Sequence, residues 1–205
     1  ISASVSAGFF DFLTGWVTNT KSKNYDIVIV GAGNGGIAAA IQAARMGTKV
    51  ALLEETNDIG GQMITVPTMD EGSLKKERDD GLYAEFVNNI IEYYSNIGKS
   101  VETCYWSIGT VCFEPYIGKQ ILVNMIKKES NIDLYLHTKV QNVIVSKNVV
   151  KGIITTNGMT FNSKIVVDAT EYGDIIPLTP ARYRIGNSQS GVNDANSCIQ
   201  DITYT

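Results

Sequence analysis

The feature of the sequence that most constrains its fold is a glycine-rich turn between two short apolar segments. Residues 25–30 (YDIVIV) form a β-branched, mostly apolar run, which is typical of a strand buried on both faces of a parallel sheet. After the glycines, residues 34–46 have the composition of a helix that ends at Gly47. Residues 49–53 (KVALL) predict a second buried strand. A strand, a helix and a strand within about 30 residues predict a βαβ unit with a right-handed crossover.

The spacing of the glycines indicates a dinucleotide-binding turn. Gly31 allows the tight turn, Gly33 leaves room for a pyrophosphate to approach the backbone, and Gly36 lets the helix lie close to the strand. The helix N-terminus presents free N–H groups and a partial positive charge to the phosphates. Glu54 ends the second strand 18 residues after Gly36, where its carboxylate can bind a ribose 2′-hydroxyl, which favours an unphosphorylated adenosine ribose over NADP. A glycine turn in an unrelated α/β domain is the alternative, and the turn itself fits both NAD and FAD.

The rest of the chain divides into a helical part and a β-rich part. Residues 60–80 have loop composition, whereas 83–98 and 114–130 have the spacing of amphipathic helices. Residues 132–169 alternate and contain turn signals, which predicts a strand, a three-stranded meander and a last buried strand at 164–170. The predicted fold class is therefore α/β, a Rossmann-type parallel sheet with a three-stranded β-meander. The residues expected on the inward stripes of the two helices are Phe86, Ile90, Tyr93, Tyr94, Ile117, Ile121, Leu122 and Met125.

Composition argues against several other classes of function. The net charge of −4 disfavours non-specific nucleic-acid binding. No stretch reaches the roughly 18 apolar residues of a membrane span. The odd number of cysteines, with no CxxC, argues against a disulfide framework or a zinc site, and Cys104 and Cys112 are interpreted as small buried hydrophobic residues. The single histidine, His137, excludes a multi-histidine metal site within this chain and is interpreted as a structural residue of a strand.

Two further motifs accompany the glycine turn. Gly60 and Gly61 follow Glu54 by six and seven residues, and the sequence VVDATEYGD at 166–174 ends the β-rich part. Together with the turn, these motifs resemble the FAD-dependent oxidoreductase family of the glutathione-reductase-like flavoproteins, over residues 25 to 177. The resemblance implies an FAD/NAD(P)-binding Rossmann-type domain with FAD as the cofactor.

The resemblance also implies a role for each motif. The glycine turn would wrap the pyrophosphate, the acidic strand end would bind the adenosine ribose, and the Gly-Gly segment would pass beside the pyrophosphate and ribityl chain. The start of the meander would hold the adenine through its backbone, and the strand-end motif would close over the cofactor. The implied cofactor-binding residues are Gly31, Gly33, Asn34, Gly35, Gly36, Glu54, Glu55, Gly60, Gly61, Gln62, Val140, Ala169, Thr170 and Asp174.

Three positions need separate comment. Met63 and Thr65 follow the Gly-Gly segment and are candidates for lining the flavin ring and the substrate. Glu171 departs from the family pattern, which usually has glycine after the Ala-Thr pair, so that its side chain either crowds the cofactor or points outward. The sequence identifies no metal ligands and no catalytic acid or base.

The implied function is that of an FAD-dependent oxidoreductase. A hydride would pass from a small organic substrate to flavin N5, and oxygen or an electron carrier would reoxidise the flavin. Two alternatives stay open, a flavoprotein electron-transfer subunit of a larger complex and a non-catalytic nucleotide-binding module.

Members of the family are commonly longer, so this chain is expected to end before most of the substrate domain. The predicted plan is an N-terminal extension at 1–24, an FAD-binding domain at 25–177 with a loop and helical insertion at 62–131, and the start of an incomplete substrate domain at 178–205. Residues 5–7 (VSA) have the small-x-small pattern of a signal-peptide cleavage region, with an ordinary extension as the alternative, so cytoplasmic and exported locations both stay open.

Further polypeptide is expected to complete this plan. An apolar face near Ile175, Ile176 and Leu178 is predicted to be exposed in this chain and covered in the whole enzyme. Residues 198–205 have strand composition and are predicted to pair with strands outside this sequence.

Overall fold

A mixed sheet of six strands forms the centre of the described part of the chain. The structure is a computed structural model that describes residues 21–65, 80–101 and 111–183. The strand order is β3-β2-β1-β6-β5-β4; the first four strands run parallel, and β5 and β4 extend the sheet in antiparallel pairing. The predicted α/β class with a parallel sheet and a meander is confirmed. In chain order the elements are β1 (Ser22–Val30), α1 (Asn34–Arg45), β2 (Val50–Leu53), α2 (Gln62–Thr65), α3 (Gly81–Asn96), α4 (Pro115–Lys128), β3 (Ile132–Tyr135), β4 (Val140–Ser146), β5 (Val149–Thr155), β6 (Thr160–Asp168) and a 3₁₀ turn (Ile176–Leu178).

The predicted βαβ unit lies at the centre because its strands bury both faces. Val28 and Ile29 of β1 and Leu52 and Leu53 of β2 are all fully buried, although neighbours along a strand point to opposite faces. The positive φ of Gly47, 85°, lets the chain leave α1 toward β2. The small and branched residues that α1 buries recur at helical spacing. They are Gly36, Ile37, Ala40, Ile41 and Ala44.

Helices cover one face of the sheet, and residues of the meander pack on the other. On the helical side, α1, α3 and α4 share one apolar cluster with β1 and β2, in which Phe86 and Phe113 meet edge to face at 5.6 Å. On the other side, Val143, Ile153 and Phe161 of β4, β5 and β6 join a second cluster. Both amphipathic helices form as predicted, within two residues of the predicted ends at each terminus. Their buried residues include Phe86, Ile90, Tyr94, Ile117, Ile121, Leu122 and Met125.

The β-rich part has one strand fewer than predicted. The last strand of the meander and the strand predicted to begin at Lys164 form one continuous strand, β6. This strand pairs with β5 at its start and with β1 along its length. Asn162 is accommodated inside the strand because its Nδ2 donates to Ser22 Oγ (2.9 Å) and to Asn24 Oδ1 (3.0 Å). β1 accordingly begins at Ser22, three residues earlier than predicted.

Two predictions about individual residues are wrong. Cys112 is disulfide-bonded and is therefore not a free buried thiol. The prediction failed since an odd number of cysteines excludes complete pairing but still allows a single bond. Ile175 is only 4% exposed since it packs into the meander-side cluster, while Ile176 and Leu178 are 42% and 37% exposed as predicted.

Other predictions differ from the structure or lie beyond its described part. His137 lies beyond the end of β3 with a φ of 50°, and residues 62–65, predicted as loop, form the short helix α2. Cys104, Cys198, residues 1–20 and residues 198–205 lie outside the described residues. Among the described helices, none combines the length and the apolar character that crossing a bilayer requires.

Candidate functional site

A cleft of about 240 Å³ opens at the carboxyl ends of β1 and β6. Val30 and Asp168 are paired at these ends, so the turns that follow them lie side by side. Ligands of parallel α/β sheets bind at this edge, which makes the cleft the candidate site. Seven residues line the cleft: six were predicted from the sequence to bind the cofactor, and the seventh is Glu171. The lining residues are Gly33, Asn34, Gly35, Gln62, Ala169, Thr170 and Glu171.

Two glycines of the turn are required by close packing of the backbone. Gly31 has a φ of 97°, and a Cβ added there would overlap the carbonyl group of Ala169. A Cβ on Gly36 would overlap the carbonyl oxygen of Gly31. These two glycines therefore bring β1, α1 and the segment after β6 together, as the spacing predicts for the first and third glycines.

The other two glycines leave the turn open. A Cβ on Gly33 would approach only the Glu171 side chain, at 3.7 Å, and a Cβ on Gly35 would meet nothing within 4 Å. α1 begins at Asn34, so the N–H groups of its first turn lack intrahelical acceptors. Exposed backbone of this kind, at the positive end of a helix, can bind an anionic group such as a phosphate.

The Gly60-Gly61 pair lies against this turn. Gly60 N–H donates to the carbonyl oxygen of Ala32 at 2.7 Å, and a Cβ on Gly61 would lie 3.4 Å from the Cα of Gly33. Both glycines have positive φ, 95° and 51°. Gln62 follows them at the start of α2 and lines the cleft.

Glu54 is fixed by hydrogen bonds on the β2 side of the turn. Its Oε2 accepts from the N–H of Ala32 at 2.9 Å, and its Oε1 accepts from Thr56 N (2.9 Å) and Thr56 Oγ1 (2.8 Å). The carboxylate is therefore oriented before any ligand binds, and it ties the end of β2 to the glycine turn.

Glu55 and Val140 lie outside the lining of the cleft. Glu55 forms an ion pair of 2.9 Å with Lys139, and its hydrogen bond and charge raise the pKa of that exposed lysine. Val140 follows Lys139 and begins β4. The ion pair therefore ties the segment after β2 to the start of the meander.

The remaining predicted residues are distributed around the cleft. Met63 packs toward the helix-side core, and Thr65 Oγ1 donates to the carbonyl oxygen of Gly61 at 3.1 Å, so neither lines the cleft. Asp174 is exposed, and its N–H donates to Thr170 Oγ1 at 2.8 Å.

Asp168 organises the loop after β6, a role that the sequence analysis missed. Its Oδ1 accepts from Thr170 N (3.1 Å) and Thr170 Oγ1 (2.8 Å), and its Oδ2 accepts from Ile175 N (2.9 Å). An aspartate that accepts from the backbone two residues ahead is a common turn signal, so the Asp-Ala-Thr sequence could have indicated this role. The loop that contributes Ala169, Thr170 and Glu171 to the cleft is therefore held by one carboxylate.

Asp168→Asn is expected to lower the free energy of unfolding by about 2 kcal/mol, because the new amide NH₂ must face an N–H or hydroxyl donor. Chemical denaturation of the full-length protein measures this change. Asp174→Asn is the matched control on the same loop, since Asp174 is exposed, and it should change stability by less than about 0.5 kcal/mol. Equal stabilities of the two variants would contradict the proposed role of Asp168.

The sheet, the glycine turn and the cleft define a dinucleotide-binding α/β protein. The family model of the FAD dependent oxidoreductases matches residues 26–203, and the chain belongs to this family. The predictions of the family and of FAD as its cofactor are therefore confirmed.

Solved structures show the same fold at low sequence identity. A geranylgeranyl bacteriochlorophyll reductase-like protein from Thermoplasma acidophilum matches with a TM-score of 0.54 and 21% identity, over 78% of this chain and 43% of its own. The L-amino acid deaminase from Proteus vulgaris matches with a TM-score of 0.50 and 18% identity, over 75% of this chain and 49% of its own. The chain thus spans less than half the length of either protein.

The described residues fit FAD at the phosphates and at the adenosine ribose. Gly33 and Gly35 add no side chain of their own to the turn, and the Glu54 carboxylate is presented beside it.

Proposed function

We propose that the cleft binds FAD and that this chain supplies the cofactor-binding part of an oxidoreductase. The observation that carries the proposal is the meeting of three sequence motifs at one cleft, in a chain of the FAD dependent oxidoreductase family. These motifs are the glycine turn, the segment after Gly61 and the loop after β6. Their position at the carboxyl ends of parallel strands is the usual position of ligands in this type of fold.

In this proposal the pyrophosphate lies over the glycine turn, next to the first N–H groups of α1. Glu54 binds the adenosine ribose through the one carboxylate lone-pair site that its three hydrogen bonds to Ala32 and Thr56 leave available. The backbone of Val140 contacts the adenine, and the loop held by Asp168 closes over the cofactor. The residues proposed to bind FAD are Gly31, Gly33, Asn34, Gly35, Gly36, Glu54, Glu55, Gly60, Gly61, Gln62, Val140, Ala169, Thr170 and Asp174.

When bound, FAD supplies a centre that accepts a hydride from a small organic substrate and returns the electrons to oxygen or a carrier. The contribution of the described residues is to bind and orient the cofactor. The turn presents backbone N–H groups to the phosphates, and the Asp168 hydrogen bonds fix the loop on the opposite wall of the cleft. Fixed polar groups of this kind lose little entropy when the ligand binds.

Further polypeptide is proposed to complete the enzyme beside β6. After Asn162, one edge of β6 pairs with β1, and the opposite edge pairs with no strand among the described residues. Ile165, in this part of β6, is 54% exposed. Ile176 and Leu178 add exposed apolar surface after the loop. A strand that paired with this edge would satisfy its backbone N–H and C=O groups, and the polypeptide around that strand would cover the exposed apolar side chains.

The absorption spectrum of the purified full-length protein tests the proposed function. The protein should be yellow, and denaturation should release FAD that mass spectrometry identifies. Anaerobic bleaching by a small organic substrate would support an oxidoreductase, whereas reduction only by a partner protein would indicate an electron-transfer subunit. A protein that contains no flavin and does not bind added FAD would disprove the proposal.

Glu54→Ala is expected to weaken FAD binding about tenfold, because one hydrogen bond to a charged carboxylate, worth about 1.5 kcal/mol, is lost. Fluorescence titration of the flavin-free protein measures the dissociation constant. The loss should affect FAD and ADP but not riboflavin, which has no adenosine. Thr56→Ala is the control, since it removes one donor to Glu54 and keeps the carboxylate. An unchanged affinity for ADP in Glu54→Ala would show that the ribose binds elsewhere.

A further inference from the structure

Glu171 places a carboxylate between the two glycine segments that border the cleft. A Cβ on Gly33 would lie 3.7 Å from Glu171 Oε1, and a Cβ on Gly61 would lie 3.5 Å from the same oxygen. The Gly61 Cβ would also lie 3.9 Å from the backbone nitrogen of Asn34, where α1 begins. The carboxylate oxygen therefore lies in the space that the open glycines leave beside the helix N-terminus.

The backbone of this loop is fixed, but the side chain of Glu171 is not. Thr170 N–H is bonded to Asp168, and Asp174 N–H is bonded to Thr170 Oγ1, so the main chain on both sides of Glu171 is held. Glu171 itself is exposed and, within the described residues, makes no hydrogen bond or ion pair. A rotation about its side-chain torsions can therefore remove the carboxylate from the cleft without a change of fold.

Glu171 is also the one charged residue among those that line the described cleft. The other lining residues offer backbone groups, the side chains of Asn34 and Gln62, and the hydroxyl of Thr170. A carboxylate and a phosphate at the same helix N-terminus exclude one another by volume, and at neighbouring positions they repel one another. A single anion at this position has the opposite effect, because the partial positive charge of the helix stabilises it.

We propose that the Glu171 carboxylate occupies the phosphate site while no cofactor is bound, and that it must leave the cleft before the pyrophosphate of FAD can bind. This inference rests on the proposed function, because it concerns the same cleft. Glu171 then determines cofactor affinity from the loop after β6, where it lines the cleft together with Ala169 and Thr170. Removal of its charge should tighten the binding of ligands that carry phosphates and leave other ligands unaffected.

Glu171→Gln and Glu171→Gly in the full-length, flavin-free protein test this role. The probes are FAD, ADP and adenosine, and titration calorimetry or fluorescence gives each dissociation constant. We expect both variants to bind FAD and ADP about tenfold more tightly than the unmodified protein and to bind adenosine unchanged. Glu92→Gln is the matched control for net charge, because Glu92 is exposed on α3 and does not line the cleft.

The possible results separate this inference from the proposed function. Equal or weaker binding of FAD and ADP by both Glu171 variants would overturn the role of Glu171 and leave FAD binding itself intact. An equal gain in Glu92→Gln would also overturn it, since the effect would then be one of net charge. If neither the unmodified protein nor the variants bind FAD or ADP, the proposed function and this inference both fail.

Discussion

Gly33→Val is expected to lower FAD affinity about a hundredfold, or about 2.8 kcal/mol, while the protein stays folded. Gly33 has φ −70° and ψ −174°, an extended conformation that any residue adopts, so the change causes no backbone strain. The new Cβ would approach only Glu171 Oε1, at 3.7 Å, and that side chain can rotate away. The valine methyl groups would then occupy the space through which the pyrophosphate is proposed to reach the backbone.

Fluorescence titration with FAD measures the loss, and thermal unfolding of the flavin-free protein checks the fold. Ala38→Val is the matched control, because it adds a β-branched side chain at an exposed position of the same helix, outside the cleft. Gly33→Ala should give a smaller loss than Gly33→Val, since it introduces one carbon atom. Unchanged FAD affinity in a folded Gly33→Val protein would mean that the phosphates lie elsewhere.

The central part of the fold was predictable because local composition and tertiary structure agree there. The apolar strands need burial on both faces, and Gly31 and Gly36 are the residues whose side chains would overlap the backbone of the turn or of its neighbours. The spacing of these two glycines therefore predicts the close approach of β1, α1 and the segment after β6 that the structure shows. The burial of Phe86 and Ile121 followed in the same way from helical periodicity.

The parts that were not predictable depend on contacts between distant segments. The continuity of β6 depends on its pairing with β1. Asn162 fits inside this strand because its side-chain amide donates to Ser22 and Asn24, which are about 140 residues away in the sequence. Ile175 was predicted to belong to an exposed apolar face. In the structure its N–H donates to Asp168, and its side chain is buried. A single sequence contains no local signal for such partners.

The candidate site divides in the same way. The glycines and Glu54 were found because their chemistry is tied to a fixed spacing. The side-chain position of Glu171 was left open, because its direction depends on the backbone of a loop that Asp168 holds. Sequence reasoning therefore identified most residues of the candidate cleft but did not determine that a charged side chain lies in it.

Gly36→Val is expected to destabilise the fold by about 3 kcal/mol or more, a loss of stability that Gly33→Val should not cause. Gly36 is buried, and its Cβ would overlap the carbonyl oxygen of Gly31 and lie 3.3 Å from Ala169 Cβ. A backbone atom cannot move aside as a flexible side chain can, so α1 would have to separate from β1. That movement would also open the packing of Ile37 and Ile41, both almost fully buried, against the sheet.

Chemical denaturation of the flavin-free protein measures this effect independently of cofactor binding. Gly35→Val is the matched control, because it makes the same change one residue earlier in α1, where a Cβ meets nothing within 4 Å. Helix propensity differs little between glycine and valine at an exposed site, so this control should stay within about 0.5 kcal/mol of the unmodified protein. Similar stability of Gly36→Val and Gly35→Val would show that α1 does not approach β1 as closely as described. A large difference between them, together with a loss of FAD affinity in a folded Gly33→Val protein, would establish that two glycines of one turn, three residues apart, serve separate purposes, with Gly36 needed for folding and Gly33 for the ligand.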